Sequence, residues 1–316
     1  MKIFVTGAAG FIGSHVVDQL LFQNHQVVGL DNFDSFYDEK IKRSNLASAI
    51  ASSDFQLIEG DIRDRKLLDA IFGEIKPDAV IHLAARAGVR PSLEDPALYM
   101  DVNVTGTTNI FEAARKLQYP PKVIYASSSS VYGDRDTAPF RESENVDSPI
   151  SPYAASKRAC EIIAETFHHL YGLRITGLRF FTAYGPRNRP DLAIAKFTGL
   201  ILQNKSIPIF GEGNTRRDYT YVSDIADGVI KAMHHCNKLH LYNLGNSSPT
   251  PLMTMVQTIS ETLGIKPVLD FQPEQPGDVR QTFADISLAS NEIGFNPATS
   301  FTDGIRSYIN WYRNTH

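Results

Sequence analysis

Tyr153 and Lys157 stand four residues apart in Ser151-Pro152-Tyr153-Ala154-Ala155-Ser156-Lys157, and four serines, Ser127, Ser128, Ser129 and Ser130, close an apolar segment about 25 residues upstream. On a helix, positions i and i+4 share a face, so a phenol and an ammonium would project towards one point. A cation beside a phenol favours the phenolate. A tyrosine poised in this way can take the proton from a hydroxyl while a hydride leaves the same carbon. The pair alone is a weak signal, because helices carry many chance Tyr–Lys pairs. Its meaning depends on the elements that would place it beside a hydride acceptor.

Those elements begin at the N-terminus. Lys2-Ile3-Phe4-Val5-Thr6 is a short β-rich run, followed by Gly7-Ala8-Ala9-Gly10-Phe11-Ile12-Gly13 and a helical pattern over 14–22. Strand, glycine turn and helix make a dinucleotide-binding arrangement. The glycines allow a tight turn and let the backbone approach a pyrophosphate held at the helix N-terminus. The spacing is G-x-x-G-x-x-G rather than G-x-G-x-x-G. The next apolar run, Gln26-Val27-Val28-Gly29-Leu30, ends in Asp31, 18 residues beyond Gly13. An acid at the tip of the second strand accepts from a ribose with a free 2′-hydroxyl and repels a 2′-phosphate. The expected cofactor is therefore NAD rather than NADP. The bland alternative is a glycine turn of no function.

Further strand-like runs at 55–62, 79–85, 122–127 and 175–181 alternate with helical patterns at 64–75, 96–117 and 152–171. Regular β/α alternation implies a parallel sheet covered on both faces, with ligands at the carboxyl ends of its strands. Gly7, Asp31, Asp61, Ala84, Ala85 and the serine run all fall at such ends. After about residue 183, glycine, proline and charged turns become frequent. Short strands at 241–244 and 268–271 are expected there, among helices at 192–202, 223–235, 253–263 and 301–312. The reading is an α/β chain on a doubly wound parallel sheet of Rossmann type. Residues 1–183 would bind the dinucleotide, with a return crossing near 221–245. Residues 184–316 would form mainly a smaller C-terminal α/β substrate lobe. The stretch 32–53 reads as polar and loop-like at its start, partly covering the cofactor.

At 316 residues and a net charge of −4, the chain has room for a large core and shows no basic block suited to nucleic acid. Cys160 and Cys236 form no ligand or redox motif, Met1 runs straight into a strand, and no apolar run approaches a membrane span. The expectation is a cytoplasmic protein with no signal peptide, metal, nucleic-acid or membrane partner. His82, in an apolar strand, suits a satisfied core residue better than a catalyst. His168, His169, His234 and His235 read as helix-surface residues.

Taken together, these motifs resemble the extended short-chain dehydrogenase/reductase family over essentially the whole chain. Within it they resemble the nucleotide-sugar 4-epimerases, and among these the UDP-glucuronate 4-epimerases. The resemblance rests on 7–13, Asp31, Asp61-Ile62, His82-Leu83-Ala84-Ala85, Asn103, 125–133, Tyr153 with Lys157, and 179–190. Arg217-Asp218-Tyr219 and Pro276-Gly277-Asp278-Val279-Arg280 add to it. The subfamily rests mainly on Ala87-Gly88-Val89-Arg90 and on Arg179-Phe180-Phe181-Thr182-Ala183-Tyr184-Gly185-Pro186-Arg187-Asn188-Arg189-Pro190.

The resemblance implies that Gly7, Gly10, Phe11, Ile12 and Gly13 line the pyrophosphate of NAD, and Asp31 and Asn32 its adenosine ribose. Asp61 and Ile62 would flank adenine, with Leu83, Ala84, Ala85 and Asn103 beside the ribose and phosphates. Lys157 would hold the nicotinamide ribose. The segment 179–182, with Phe180, would pass the nicotinamide and open into the sugar pocket. Arg217 and Arg280 would neutralise a UDP diphosphate, Asp278 would accept from the uridine ribose, and Arg90 would belong to the substrate site. Each role has a plainer competitor: Asp61 as a helix cap near residue 64, Arg217 as the ion-pair partner of Asp218 on a solvated face.

Epimerase and dehydratase share the first half-reaction, in which Tyr153 takes the proton of the 4-hydroxyl. The related dehydratases carry Asp-Glu in the serine-run segment, and the related decarboxylases a Glu in place of Ser130. The serines here argue against both, and Ser128 stands where the family often has threonine. Oxidising C4 of a hexuronic acid makes a β-keto acid, which loses CO₂ when its carboxylate bond lies perpendicular to the new carbonyl. Ser128, Ser129, Ser130, Thr182 and Arg189 could hold that carboxylate elsewhere, with Arg187 as the competing cation. A neutral-sugar 4-epimerase and a non-catalytic NAD sensor complete the alternatives. Related enzymes pair the helices at 96–117 and 152–171 into a homodimer. The stripe Cys160, Ile163, Ala164 and Phe167 suits that role or packing on its own sheet.

Overall fold

Alternation of side chains along each apolar run decides the architecture. The computed structural model describes residues 1–135, 137–273 and 279–315. The strands are β1 (Lys2–Thr6), β2 (Gln26–Asp31), β3 (Phe55–Glu59), β4 (Ala79–His82), β5 (Lys122–Ser128) and β6 (Ile175–Phe180). Beyond them lie β7 (Thr182–Tyr184), β8 (Ser206–Phe210), β9 (Arg216–Tyr221), β10 (His240–Leu244), β11 (Pro249–Pro251) and β12 (Val268–Gln272). Seven form one parallel sheet in the order β10-β6-β5-β4-β1-β2-β3. In β1, Ile3 and Val5 pack on one face against Val16, Val17, Leu20, Val229 and Met233, while Phe4 packs on the other against Phe72, Ile110 and Phe111. Two-sided burial explains why the strands read as continuous apolar runs rather than alternating ones. Each such buried side chain contributes about 1.5–3 kcal/mol.

Strand order reverses between β1 and β4, which opens a crevice at their carboxyl ends. The C-terminal segment is divided. The helix Val222–His235 lies against the helix Phe11–Phe22, and β10 joins the main sheet beside β6. The rest forms a three-stranded sheet, β11-β9-β7, and a pair, β12-β8, around Tyr184, Phe197, Ile207, Tyr219, Ile259 and Tyr308.

Several expectations need correction. The pattern at 96–117 is not one regular helix: Pro96–Tyr99 runs into a π-helical segment Met100–Thr105 and then Gly106–Arg115. Hydrophobic periodicity cannot register one widened turn. The stretch 32–53 is loop-like at its start, as expected, and continues into helices Glu39–Asn45, capped by Asp38, and Ala47–Ile50. β8 and β9 were unexpected, since Pro208 and the charged Arg216-Arg217-Asp218 disguise them. β8 lies in a two-stranded pair, where a proline is tolerated. The expected strands 55–62 and 79–85 stop three residues early, because the chain leaves the sheet to form the cleft wall.

Candidate active site

Backbone builds the first half of the crevice. Gly7 has φ +68°, and a Cβ there would lie 2.7 Å from the Ala84 nitrogen; one on Gly13 would collide with the Gly7 carbonyl oxygen. The helix Phe11–Phe22 starts after Gly10 with no side-chain cap, so its first N–H groups face the cleft unspent. Asp31 accepts from Ala9 N at 3.0 Å and Phe33 N at 2.9 Å. Burial pushes its carboxyl pKa up, against those two bonds and nearby Lys42. Asn32 donates to Asp61 at 2.9 Å, and Asp61 is paired with Arg63, which holds its carboxyl down at about 2. Asp61 is no helix cap: Asp64 fills that role, accepting from Leu67 N at 3.0 Å.

The second half is built by side chains from distant elements. β5 delivers the serine run, where Ser128 Oγ accepts from Ser130 N and donates to Ser130 Oγ, both at 3.2 Å. The helix Pro152–Tyr171, capped by Ser151, carries Tyr153 against Tyr99 and anchors Lys157 Nζ on the Ala126 carbonyl at 2.8 Å. From the end of β6 to the start of β7, Phe180, Phe181 and Thr182 line the opening, and the loop beyond β7 brings in Arg189. The cleft encloses about 480 Å³. It is lined by Gly7, Gly10, Phe11, Ile12, Gly13, Asp31, Asn32, Asp61, Ile62, Leu83, Ala84 and Ala85 at one end. Ser128, Ser129, Ser130, Tyr153, Lys157, Phe180, Thr182 and Arg189 line the other.

Several expected residues sit elsewhere. Asn103 is behind the wall, its amide spent on Arg86 N, Arg86 O and Ser156 Oγ at 2.7–3.0 Å. Within the segment 179–182, Arg179 turns away from the cleft; it is 1% exposed and forks onto Glu161, which is 2% exposed and also accepts from Ser127. Arg90 stacks 4.9 Å from the Phe210 ring, outside the cleft lining. Arg187 turns away to Asp18 at 2.7 Å. Of the two loop cations, Arg189 alone reaches the cleft.

Arg217 and Arg280 meet where β9 pairs with the segment around residue 280, with Arg217 Nη1 on the Arg280 carbonyl at 3.5 Å. Asp218 is not the ion partner of Arg217, being buried and accepting from Asn246 N, Ser247 N and Ala284 N. Asp278 lies outside the described residues. His82 bonds Thr6 and Thr107 in the core, and burial lowers its pKa to about 3. Cys160, Ala164 and Phe167 pack on the sheet, not outward.

Sequence reasoning missed Asp34, Phe36, Tyr37, Lys42 and Arg86, all on the cleft wall. Arg86 pairs with Asp34 and lies 4.9 Å from the Phe36 ring, and Arg189 lies 5.1 Å from the same ring. No local motif marks them, since contacts between three separate loops create the arrangement. A dinucleotide fits the first half. A glycine cradle that any Cβ would fill, an uncapped helix N-terminus and an acid at the β2 tip match pyrophosphate and ribose chemistry. No group of metal-ligating side chains occurs among the described residues.

The model of the GDP-mannose 4,6 dehydratase family matches residues 4–308. UDP-glucuronate 4-epimerase 4 of Arabidopsis thaliana is 42% identical over 329 residues, covering 99% of this chain and 75% of the relative. The crystal structure of the Bacillus cereus UDP-glucuronic acid 4-epimerase, in complex with UDP-glucuronic acid and NAD, superposes with TM-score 0.94 at 34% identity, covering 100% of both chains. The Thermotoga maritima UDP-glucose 4-epimerase with UDP-glucose gives TM-score 0.90 at 33% identity, covering 100% of this chain and 99% of that one. The chain therefore belongs to the GDP-mannose 4,6-dehydratase-like extended short-chain dehydrogenase/reductases, close to the UDP-glucuronate 4-epimerases.

Proposed function

We propose that this chain is an NAD-dependent isomerase that interconverts UDP-glucuronate and UDP-galacturonate at C4. One observation carries the reading: the buried guanidinium of Arg189 shares a wall with Tyr153 and the hydroxyls of Ser128, Ser129, Ser130 and Thr182. NAD, when bound, would supply the hydride acceptor for C4 and, once the sugar has turned over, the hydride donor. Gly7, Gly10, Phe11, Ile12 and Gly13 would hold its pyrophosphate, Asp31 and Asn32 its adenosine ribose, and Lys157 its second ribose.

Tyr153 takes the proton of the 4-hydroxyl and later gives it back, with Ser128 holding the 4-oxygen. The serine run contains no carboxylate to remove a C5 proton, so elimination is closed to the 4-keto sugar, and reduction competes only with loss of CO₂. Arg189 and the neighbouring hydroxyls keep the carboxylate of the β-keto acid near the carbonyl plane, where loss of CO₂ is disfavoured. Arg217, Arg280 and Asp278 would take the UDP moiety. In this reading residues 1–183 with 221–245 form the cofactor domain and the remainder the sugar lobe.

We further propose a homodimer in a reducing compartment such as the cytoplasm. Leu93, Met100 and Ile162 stand exposed on adjoining helices, and both cysteines are buried thiols. Sedimentation of Ile162→Arg should show a monomer if that face is the contact.

Purified protein should convert UDP-glucuronate to UDP-galacturonate by NMR with no added reductant and no accumulation of NADH. Equal or faster turnover of UDP-glucose would move the assignment to a neutral-sugar epimerase. A UDP-pentose or a 4-keto-6-deoxy product would move it to a decarboxylase or dehydratase.

A further inference from the structure

Arg189 does not present a bare cation to the cleft. Its Nε donates to Asp191 Oδ1 at 2.9 Å and its Nη2 to Oδ2 at 2.6 Å, a two-point fork. The arrangement is local: Leu192 N returns to the Arg189 carbonyl at 3.2 Å, closing a turn with Pro190 at its second position. Residues 189 and 191 are thereby held on one side. The Arg189 side chain is 15% exposed and that of Asp191 is 41%. Burial opposes the Arg189 cation, and the Asp191 carboxylate more than offsets it. Among the described residues the Arg189 guanidinium makes no other hydrogen bond, which leaves the Nη1 edge for a ligand in the cleft.

We propose that Asp191 is a positioning and specificity-determining residue that orients the Arg189 fork and tempers its charge, so that a uronate carboxylate is gripped through direction and not through a full ion pair. The inference rests on the epimerase reading above. Between the two half-reactions the sugar must turn over, and a carboxylate on C5 must leave its first partner to do so. A charge-assisted bond to an isolated buried guanidinium is roughly twice as strong as a neutral one. It would favour the bound starting pose and slow the turn. A guanidinium already carrying one carboxylate takes a second less tightly, because the two anions repel. Two of the five N–H groups are spent on Asp191, so the ligand carboxylate has one edge to use and one plane to lie in.

The test compares Asp191→Asn and Asp191→Glu with wild type, using UDP-glucuronate turnover and calorimetric binding of UDP-glucose. Removing the charge in Asp191→Asn should lower KM and kcat for UDP-glucuronate together, each by about tenfold, as expected when repulsion between like charges near a buried site is removed. Binding of UDP-glucose, which has no carboxylate, should not change. Asp191→Glu keeps the charge and should restore the KM towards wild type. A residue needed only to close the turn would raise KM for UDP-glucuronate and weaken calorimetric binding of UDP-glucose alike, with no split between them. A raised or unchanged KM for UDP-glucuronate in Asp191→Asn overturns the proposal, as does an equal shift for UDP-glucose. Arg189→Ala run alongside separates the two levels. If its loss falls equally on both sugars, the carboxylate grip itself fails. If Arg189→Ala discriminates and Asp191→Asn does not, only the role of Asp191 fails.

Discussion

The two halves of the cleft are made of different material. At the cofactor end, the wall comes from one contiguous glycine turn, the start of one helix and the tips of β1 to β4, so it is largely backbone with little side chain. At the sugar end, the wall is assembled from the 129–132 turn, the helix Pro152–Tyr171, the segment after β6 and the 189–192 turn, each presenting a side chain. A backbone site is set by local conformation and accepts one ligand class. A side-chain site is set by which loops meet, and can change substrate without disturbing the cofactor. The relatives agree with this division, since one crystal structure holds UDP-glucuronic acid and another UDP-glucose on closely similar folds.

Tyr153 stands at the sugar end, and its loss should have the largest effect. Tyr153→Phe should lower kcat by about 10²–10⁴ while calorimetry shows NAD affinity near wild type. More than a tenth of wild-type turnover would remove it from acid–base chemistry.

Arg189→Ala should act on the sugar end alone. Losing a hydrogen bond to a charged group costs about 1.5–3 kcal/mol, roughly ten- to a hundredfold in kcat/KM for UDP-glucuronate. Some of the remaining flux should appear as UDP-pentose in the NMR product analysis. Arg217→Ala should instead raise KM for every UDP-sugar alike, and a sugar-dependent effect there would blur the division.

Asp31→Ala should act on the cofactor end alone. Two backbone donors, Ala9 N and Phe33 N, lose their acceptor. Leaving buried donors unsatisfied costs about 1–3 kcal/mol, to be read in urea unfolding, and NAD binding should weaken while NADP gains. Unchanged NAD affinity would reduce Asp31 to a fold residue.

The smallest effect concerns the fastening between the halves. His15, on the cofactor helix, bonds the Pro186 carbonyl at 2.9 Å in the loop that leads to Arg189. Burial, assisted by Arg187, lowers its pKa to about 4. The unfolded state therefore binds a proton that the folded state refuses between pH 6.5 and 4, and stability falls as the pH is lowered through that window. His15→Gln should flatten this slope in urea midpoints, with little change in turnover at pH 7. An unaltered slope would show that the ring is solvated.

The parts legible in the sequence share one property: their determinants lie within a few residues of each other. The glycine turn, Asp31 at a strand tip, the i, i+4 pair Tyr153/Lys157 and the β/α alternation are all local patterns. The points left open or missed have the opposite property. Arg187 and Arg189 are equivalent in sequence, and only packing of the loop on Asp18 turns one away. Arg179 sits beside Phe180 in sequence, yet alternation along β6 buries it on Glu161. Lys42 and Arg86 belong to segments without motif, and their place on the wall exists only once β2 and β4 lie either side of β1.

By itself, the sequence determined a parallel α/β sheet, a dinucleotide cradle and a tyrosine–lysine pair, because backbone conformation and side-chain periodicity are short-range properties. Tertiary structure decided which cation faces the sugar, that Asn103 braces Arg86 from behind, and that Phe36 lies near two guanidinium groups. Those outcomes depend on where chain segments far apart in sequence come to rest. Burial of the shared core sets that, and no local pattern records it.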